Sequence, residues 1–218
     1  MSYLFRELDG RRLFVVRPHW FNDQSFCEVG WHGVLTGAFP KVVTQAMVTG
    51  GADHGQKEEE FLEEAEEAED FGRDVINQTE GVVESAEFFE EVAFNDFYFT
   101  GKIDVLHSYP DRLEVFDRKK TFLPQFGMGA RRQAWAYCVM LRQQYQPTKK
   151  LFWGIMETKS SEVFEKEEFL PRHEQEMLDT CRRMQDLVLG KREPEPPAFP
   201  NKCLKCKHAA VCGKKLCD

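Results

Sequence analysis

Three charged side chains interrupt two apolar segments in residues 99–121, which read FTGKIDVLHSYPDRLEVFDRKKT. Asp104 breaks the apolar run GKIDVL, and Asp117 and Lys119 follow the run LEVF. An unpaired charge is costly in an apolar setting, so strands that are to be buried usually avoid such residues. These three side chains are therefore the first candidates for chemistry.

The two segments predict neighbouring strands joined by a Tyr-Pro-Asp turn. Residues at i and i+2 on a strand share a face, so Asp117 and Lys119 point the same way, and Asp104 lies on the strand beside them. Two carboxylates on neighbouring strands suit a hard cation such as Mg²⁺ or Mn²⁺. A lysine beside them can orient or help deprotonate a metal-bound water, or neutralise charge on a phosphate. A surface hairpin with an Asp–Lys ion pair is the alternative that these residues leave open.

The surrounding sequence predicts the elements that hold this hairpin. Helix-period and strand-period patterns alternate along the chain, which favours an α/β or α+β fold with a central mixed sheet. A proline-rich linker at 191–200 then leads into a cysteine-containing tail. The predicted strands are 11–17, 42–48, several within 82–118, and 150–158; the predicted helices are 57–72, 129–145 and 171–190, the last ended by Gly190.

Composition excludes several classes of protein. The chain has 218 residues, of which 42% are hydrophobic and 13% aromatic, so it is long and apolar enough to fold around a core and is not a disordered chain. No apolar run approaches the roughly 20 residues that a membrane span needs, and the N-terminus lacks the features of a signal peptide. We therefore expect a cytoplasmic protein with no membrane partner. Its seven cysteines are then better explained by metal or cluster binding than by disulfides.

The net charge of −8 does not exclude a nucleic-acid partner. Residues 57–70 contain nine acids and one lysine and so account for −8 by themselves. A basic path for a phosphate backbone remains available in the rest of the chain. The basic clusters are Arg118-Lys119-Lys120, Arg131-Arg132, Lys149-Lys150, Arg182-Arg183 and the lysines of the tail.

Three cysteines form a compact set near the C-terminus, Cys203-x2-Cys206-x5-Cys212. Zinc and iron–sulfur clusters both take four ligands, so a fourth thiolate is needed. Cys217 or a cysteine distant in the sequence could supply it. The remaining Cys138 and Cys181 lie in predicted helices and are expected to be buried apolar residues.

The spacing of "GKID" and "DRK" resembles the core of the PD-(D/E)XK nuclease superfamily. The resemblance implies that Asp104 and Asp117 hold a divalent metal and that Lys119 helps activate water. Downstream, Gln133 and Tyr137 in RRQAWAY match the Q-x-x-x-Y motif of the RecB-like branch, which in that branch lies near the site and the DNA. Upstream, His54 in GADHGQKEEE resembles the histidine that serves as a further metal ligand.

The cysteines extend this resemblance to RecB-like nucleases that carry an iron–sulfur cluster. These proteins take one cysteine from near the N-terminus and three from a C-terminal C-x2-C-x5-C, and Cys27 in QSFCEVGW fits the first position. The resemblance implies a 4Fe-4S cluster on Cys27, Cys203, Cys206 and Cys212 that joins the two ends of the chain. The basic and aromatic residues usual after the first cysteine are absent from CEVGWHG, so Cys217 stays a competitor.

The ordered set spans residues 27–212 and is similar to the small CRISPR-associated RecB-family iron–sulfur exonucleases of spacer acquisition. The resemblance implies one domain over 1–218 with a restriction-endonuclease-like α/β core, a mixed central sheet flanked by helices, and a cluster region from 22–35 and 200–218. It implies Mn²⁺- or Mg²⁺-dependent processing of single-stranded ends or overhangs of prospective spacers, selected by an adjacent motif. The implied partner is the CRISPR integrase, to which such proteins are sometimes fused.

Three other functions stay open on the sequence. One is a RecB-like repair exonuclease with no CRISPR role, and another is a non-catalytic DNA-binding assembly subunit that keeps the fold. The third is an interaction protein stabilised by zinc. An intact D-x-K motif argues against a non-catalytic subunit, and iron in the protein would argue against zinc.

Overall fold

The computed structural model describes residues 2–42, 76, 81–83 and 88–216. The predicted strand 42–48, apart from its first residue, and the predicted acidic helix 57–72 lie outside them. Within this part of the chain, no helix is long and apolar enough to cross a lipid bilayer.

Nine strands form two sheets in the described residues. The first sheet has the order β1-β2-β5-β4 and the second has the order β3-β6-β7-β8-β9, so two sheets replace the one central sheet that the sequence predicts. Each sheet is mixed, because β2 pairs parallel with β5 and β7 pairs parallel with β8, while the other pairs are antiparallel. The strands are β1 Phe5–Leu8, β2 Arg11–Val16, β3 Gly81–Val83, β4 Phe88–Phe94, β5 Phe97–Ile103, β6 Val105–Ser108, β7 Arg112–Lys119, β8 Lys150–Glu157 and β9 Val163–Glu168.

Five α-helices, two long and three short, have both ends within the described residues. They are α1 Trp20–Phe26, α2 Glu28–Thr36, α3 Met128–Tyr145, α4 Pro171–Val188 and α5 Asn201–Leu204. The predicted helices 129–145 and 171–190 correspond to α3 and α4, and Gly190 follows α4 with a left-handed φ of 69°. The predicted linker 191–200 contains no helix or strand.

Helix α3 is the centre of the core. Parallel strands need a long crossover connection, and α3 provides the one between β7 and β8. Residues 133–141 of this helix are all buried, so it is enclosed on every side rather than amphipathic. It contacts α1, α4 and both sheets. Side chains on its inner turns therefore lie inside the protein, next to the end of β7.

The hairpin predicted within residues 99–121 is present, and it spans residues 105–119. Strands β6 and β7 pair antiparallel with Val105 opposite Phe116, and the Tyr109 N–H donates to the Arg112 carbonyl at 2.9 Å across the turn. The sequence predicts that Asp104 lies within a strand, but in the structure it does not. It is the single residue between β5 and β6, where the chain passes from the first sheet to the second.

A substitution at Gly154 in β8 tests how tightly this hairpin packs against β8. A Cβ at this position would lie 2.5 Å from Cε1 of Phe116 and 2.9 Å from the Glu165 carbonyl oxygen. We expect Gly154→Ala to lower the free energy of unfolding by about 1–3 kcal/mol through overpacking. Thermal unfolding measures the change. The control is Gly213→Ala in the tail, where nothing lies within 4 Å of the new Cβ; equal melting temperatures for the two variants would contradict this packing.

Candidate active site

The end of β7 and the crossover residue Asp104 bring two carboxylates together. Because Val105 pairs with Phe116, continuing the register by one residue places Asp104 beside Asp117. The Asp117 side chain is fully buried, and Lys119 Nζ lies 2.8 Å from its Oδ1 and 2.7 Å from its Oδ2. The backbone N–H of Arg118 donates to Asp104 Oδ2 at 2.9 Å. The structure thus places the three residues of the D…D-x-K motif in one cluster.

This cluster holds more negative charge than its surroundings stabilise. Burial is the main cause that raises the pKa of Asp117 to about 7; the ammonium of Lys119 opposes the rise, and the charge of Asp104 adds to it. Asp117 Oδ2 has no well-aligned hydrogen-bond donor among the described residues, although Lys119 is near. One lysine therefore faces two carboxylates, and near neutral pH a proton occupies the place that a cation could take.

Gln133 and Tyr137 of α3 lie beneath the carboxylates. Gln133 Nε2 donates to the Tyr137 hydroxyl at 2.6 Å, and that hydroxyl is 3.4 Å from Asp104 Oδ1. Lys119 Nζ and Asn22 Nδ2 both donate to Gln133 Oε1, the former at 3.4 Å. Tyr137 is 2% exposed and Gln133 is 6% exposed, so their contacts orient Asp104 and Lys119 and do not form an open DNA surface.

Sequence reasoning missed Asn22, which joins this network from α1. The close approach of α1 to α3 depends on Gly129, where a Cβ would lie 2.8 Å from the Asn22 Cα. No local pattern around Asn22 indicates this role, because its partner Gln133 is 111 residues away.

The predicted basic path is largely used for internal contacts. Arg118 is buried and its guanidinium donates to the Thr158 carbonyl at 3.1 Å, because alternation along β7 turns it away from Asp117 and Lys119. Arg131 makes a two-pronged contact with Glu165, and Arg132 pairs with Glu176. The Arg182-Arg183 pair is bound to Asp179 and Glu28. In this structure these arginines are therefore engaged in contacts within the protein.

Cysteines from both ends of the chain line one small cavity of about 10 Å³. It lies between α2 and the tail, and Cys27, Cys203, Cys206 and Cys212 are all in its wall. Burial raises the pKa of Cys27, backbone N–H groups of Gly30 and Val29 oppose the rise, and the neighbouring Cys206 and Cys212 add to it. Backbone N–H groups also lie 3.4 Å from Cys206 Sγ and 3.5 Å from Cys203 Sγ, donated by His208 and Leu216.

The comparison of sequences identifies the family of this site. Residues 32–213 match the sequence profile of the PD-(D/E)XK nuclease superfamily. The chain belongs to this superfamily. A comparison with curated proteins gives no significant match.

A solved structure shares the fold of this PD-(D/E)XK protein, and a second aligns less closely. The crystal structure of a candidate exonuclease from Eubacterium rectale aligns with a TM-score of 0.51 and 13% identity, over 89% of this chain and 86% of the other. The crystal structure of the protein SSO0001 aligns with a TM-score of 0.46 and 13% identity, over 97% and 90% of the two chains. At this identity, the first likeness shows the shared fold alone.

The carboxylate cluster fits the divalent metal that PD-(D/E)XK nucleases typically use. Asp104 and Asp117 provide the oxygen ligands that Mg²⁺ and Mn²⁺ prefer, and Asp117 Oδ2 has unused acceptor capacity. Two carboxylates are an incomplete ligand set: no group of three His, Cys, Asp or Glu side chains in the described residues is arranged to hold a metal. The predicted third ligand His54 lies outside the described residues.

The cysteine cavity fits a thiolate-bound group in its donor chemistry. Four sulfur atoms are available, and the backbone N–H groups near three of them would stabilise negative charge on sulfur. As placed, the four thiols are not close enough to form a metal site by themselves. The competitor Cys217 lies outside the described residues, and Cys27 is the fourth cysteine in the wall of the cavity. Cys138 and Cys181 are buried in α3 and α4, as predicted.

Replacing Asp117 with asparagine should stabilise the metal-free protein above neutral pH. The pKa of Asp117 is raised from 3.8 to about 7 in the folded state. The stability that this shift gives the folded protein is therefore fully present below about pH 3.8 and is lost as the pH rises to 7. We expect Asp117→Asn to gain about 1–3 kcal/mol over the native protein at pH 8 in EDTA, less at pH 5, after allowing for the loss of the Lys119 partner. Urea unfolding at the two pH values measures this. If Asp117→Asn were less stable than the native protein at pH 8, the excess of negative charge at Asp104 and Asp117 would be contradicted.

Proposed function

We propose that this protein is a divalent-metal-dependent deoxyribonuclease that hydrolyses phosphodiester bonds with Asp104, Asp117 and Lys119. The observation that carries the proposal is the burial of Asp117 beside Asp104 with a single lysine for compensation. A bound Mg²⁺ or Mn²⁺ would supply Lewis-acid activation of water and of the scissile phosphate. The superfamily of the chain is a nuclease family, which supports the same conclusion.

Each residue of the cluster has a distinct part in this proposal. Asp104 and Asp117 hold the metal, together with His54. The Lys119 side chain is 27% exposed, so its ammonium can reach a water or a phosphate oxygen while it stays bound to Asp117. Gln133 and Tyr137 are positioning residues that hold Lys119 and Asp104 in place from below.

We further propose a 4Fe-4S cluster on Cys27, Cys203, Cys206 and Cys212. The four cysteines share one cavity, and they come from both ends of the described chain. Bound there, the cluster would cross-link α2 to the tail and so close a loop around the nuclease core. Closing such a long loop restricts the unfolded ensemble, so the cluster would contribute to stability.

The proposal extends to the substrate and the partner of the nuclease. The ordered set of motifs from Cys27 to Cys212 supports a role in CRISPR adaptation, in which the protein trims single-stranded overhangs of prospective spacers beside the integrase. A cytoplasmic location follows from this role. A RecB-like repair exonuclease would use the same site, and an integrase gene next to this one would separate the two functions.

Removing the metal ligands or the lysine should abolish cleavage without unfolding the protein. We expect Asp104→Ala and Lys119→Ala to cleave overhang-bearing DNA roughly 100- to 1,000-fold more slowly in Mn²⁺ or Mg²⁺, because each removes several kcal/mol of transition-state stabilisation. Asp179→Ala and Lys150→Ala delete the same charges from exposed positions and are the controls. Cleavage that persists in EDTA, or that is unchanged in both site variants, would contradict the proposal.

Replacing Cys27 with serine should remove iron from the anaerobically purified protein. We expect Cys27→Ser and Cys206→Ser to lose most of the iron and the visible absorption, because a cluster of this type needs four ligands. Cys181→Ala removes a buried thiol outside the cavity and should keep the native iron content. Should Cys217→Ser lose iron while Cys27→Ser keeps it, the cluster would be local to the tail. Zinc in place of iron would contradict the cluster proposal.

A further inference from the structure

A second cavity, of about 340 Å³, adjoins the cysteine cavity and shares Cys27, Cys206 and His208 with its wall. It is bounded by the N-terminus, by α1 and α2, and by residues 206–208 of the tail. Its size falls within the range of small-molecule binding sites. The side chains that matter for its chemistry are Tyr3, Arg17, Trp31, Lys41, Lys207 and His208.

The rim of this second cavity is basic. Arg17, Lys41 and Lys207 line it, against one carboxylate, Asp23. Arg17 and Lys41 have no ion-pair partner among the described residues, unlike the arginines of the predicted basic path. The exposed Arg17 and Lys41 can therefore pair with a phosphate group at little cost in internal contacts.

The interior of the cavity offers aromatic rings and unused hydrogen-bonding atoms. Tyr3 is 57% exposed and Phe26 is 39% exposed, so both rings have a free face, which is unusual for large aromatic side chains in a folded domain. Trp31 and His208 are more than nine-tenths buried. Trp31 Nε1 and His208 Nδ1 nevertheless have no hydrogen-bond partner in the described part of the chain. Buried polar atoms are normally paired, so these two atoms indicate a ligand with its own donors and acceptors.

Helix α1 connects the cavity to the candidate active site. On one side of this short helix Asn22 donates to Gln133, and on the other side Trp20 and Asp23 line the cavity. Gln133 Oε1 also accepts a hydrogen bond from Lys119 Nζ at 3.4 Å, so Gln133 links α1 to the lysine. The cavity and the catalytic lysine are thus near neighbours.

We propose that the second cavity binds one unpaired nucleotide of the DNA strand whose phosphodiester is presented to Lys119. The base would stack on the ring of Tyr3 or Phe26 and use Trp31 Nε1 and His208 Nδ1 for hydrogen bonds, while Arg17 and Lys41 hold its phosphate. Stacking on aromatic rings and a cationic rim are the two devices by which proteins hold single strands. This inference rests on the proposed nuclease function, because it specifies how the same substrate is held.

Scanning an abasic nucleotide along the overhang tests the pocket directly. Binding of the iron-containing full-length protein to duplexes with a single-stranded overhang is measured in EDTA, with one base removed at a time. We expect one position at which loss of the base weakens binding at least about fivefold, because stacking of one base contributes that much or more. At the other positions the effect should be small.

Variants of the cavity should remove this position dependence. Tyr3→Ala and Trp31→Phe should each bind intact and abasic DNA with more nearly equal affinity, whereas Tyr3→Phe keeps the ring and should behave as the native protein does. Arg17→Ala should weaken binding at every position and lower its salt dependence, and Arg182→Ala is the control for a lost exposed arginine. Melting temperature and iron content establish that each variant is folded.

The outcomes separate this inference from the proposed function. If the native protein cleaves DNA with Mn²⁺ but every abasic position binds equally, the pocket proposal is overturned and the nuclease proposal stands. If the native protein neither binds nor cleaves overhang DNA, both fail. Free deoxynucleotides that bind as tightly as the overhang, with Tyr3→Ala abolishing both, would overturn the strand proposal in favour of a mononucleotide site.

Discussion

The fully buried carboxylate of Asp117, placed beside Asp104, is the constraint on which the site depends. A buried acid is tolerated only when neighbouring groups offset its loss of hydration, and here Lys119 supplies one positive charge for two acids. The surrounding fold supplies the rest of the support. Helix α3 places Gln133 and Tyr137 below the pair, and the Arg118 N–H at the end of β7 holds Asp104 from the side. The remaining charge imbalance is what a divalent cation would relieve.

The cysteine cavity also contains a buried acidic group whose ionisation is disfavoured, here the thiol of Cys27. Burial and the neighbouring Cys206 and Cys212 raise the pKa of Cys27, so ionising the Cys27 thiol is unfavourable without a cation nearby. The cavity is held together by a buried ion pair next to it. Glu28 binds Arg183 of α4 and accepts the backbone N–H of Glu195 at 3.1 Å, so it anchors the linker that leads to the tail cysteines. Burial alone would raise the pKa of Glu28, but these contacts more than offset it and leave it lowered.

Much of the fold could be predicted because its signals are local. The 105–119 hairpin has strand alternation and a proline turn, and α3 and β8 are long enough to show clear periods. Strands β1 and β9 and helices α1, α2 and α5 were missed. Strand β9 is largely polar because it is an edge strand beside β8, and the seven residues of α1 are too few to show a period. Helix α2 follows directly after α1, and their separation depends on extended backbone at Cys27.

The sequence indicated which residues come together at the candidate site better than it indicated how they are placed. Residue type and spacing brought Asp104, Asp117 and Lys119 forward, the family resemblance added Gln133 and Tyr137, and the structure gathers all five. Local patterns could not show that Asp104 lies between the two sheets, or that Arg118 turns inward to Thr158. Those facts depend on contacts with distant parts of the chain.

Titration of Mn²⁺ into the metal-free protein between pH 5.5 and 8.5, followed by the electron paramagnetic resonance of free Mn²⁺, tests the central claim most directly. The account predicts one site whose affinity falls about tenfold per pH unit below pH 7, as the metal must displace the proton on Asp117, and levels off above it. Asp104→Ala should lose this site. Binding that is independent of pH and unchanged in Asp104→Ala would contradict the claim that the carboxylates of Asp104 and Asp117 form the metal site.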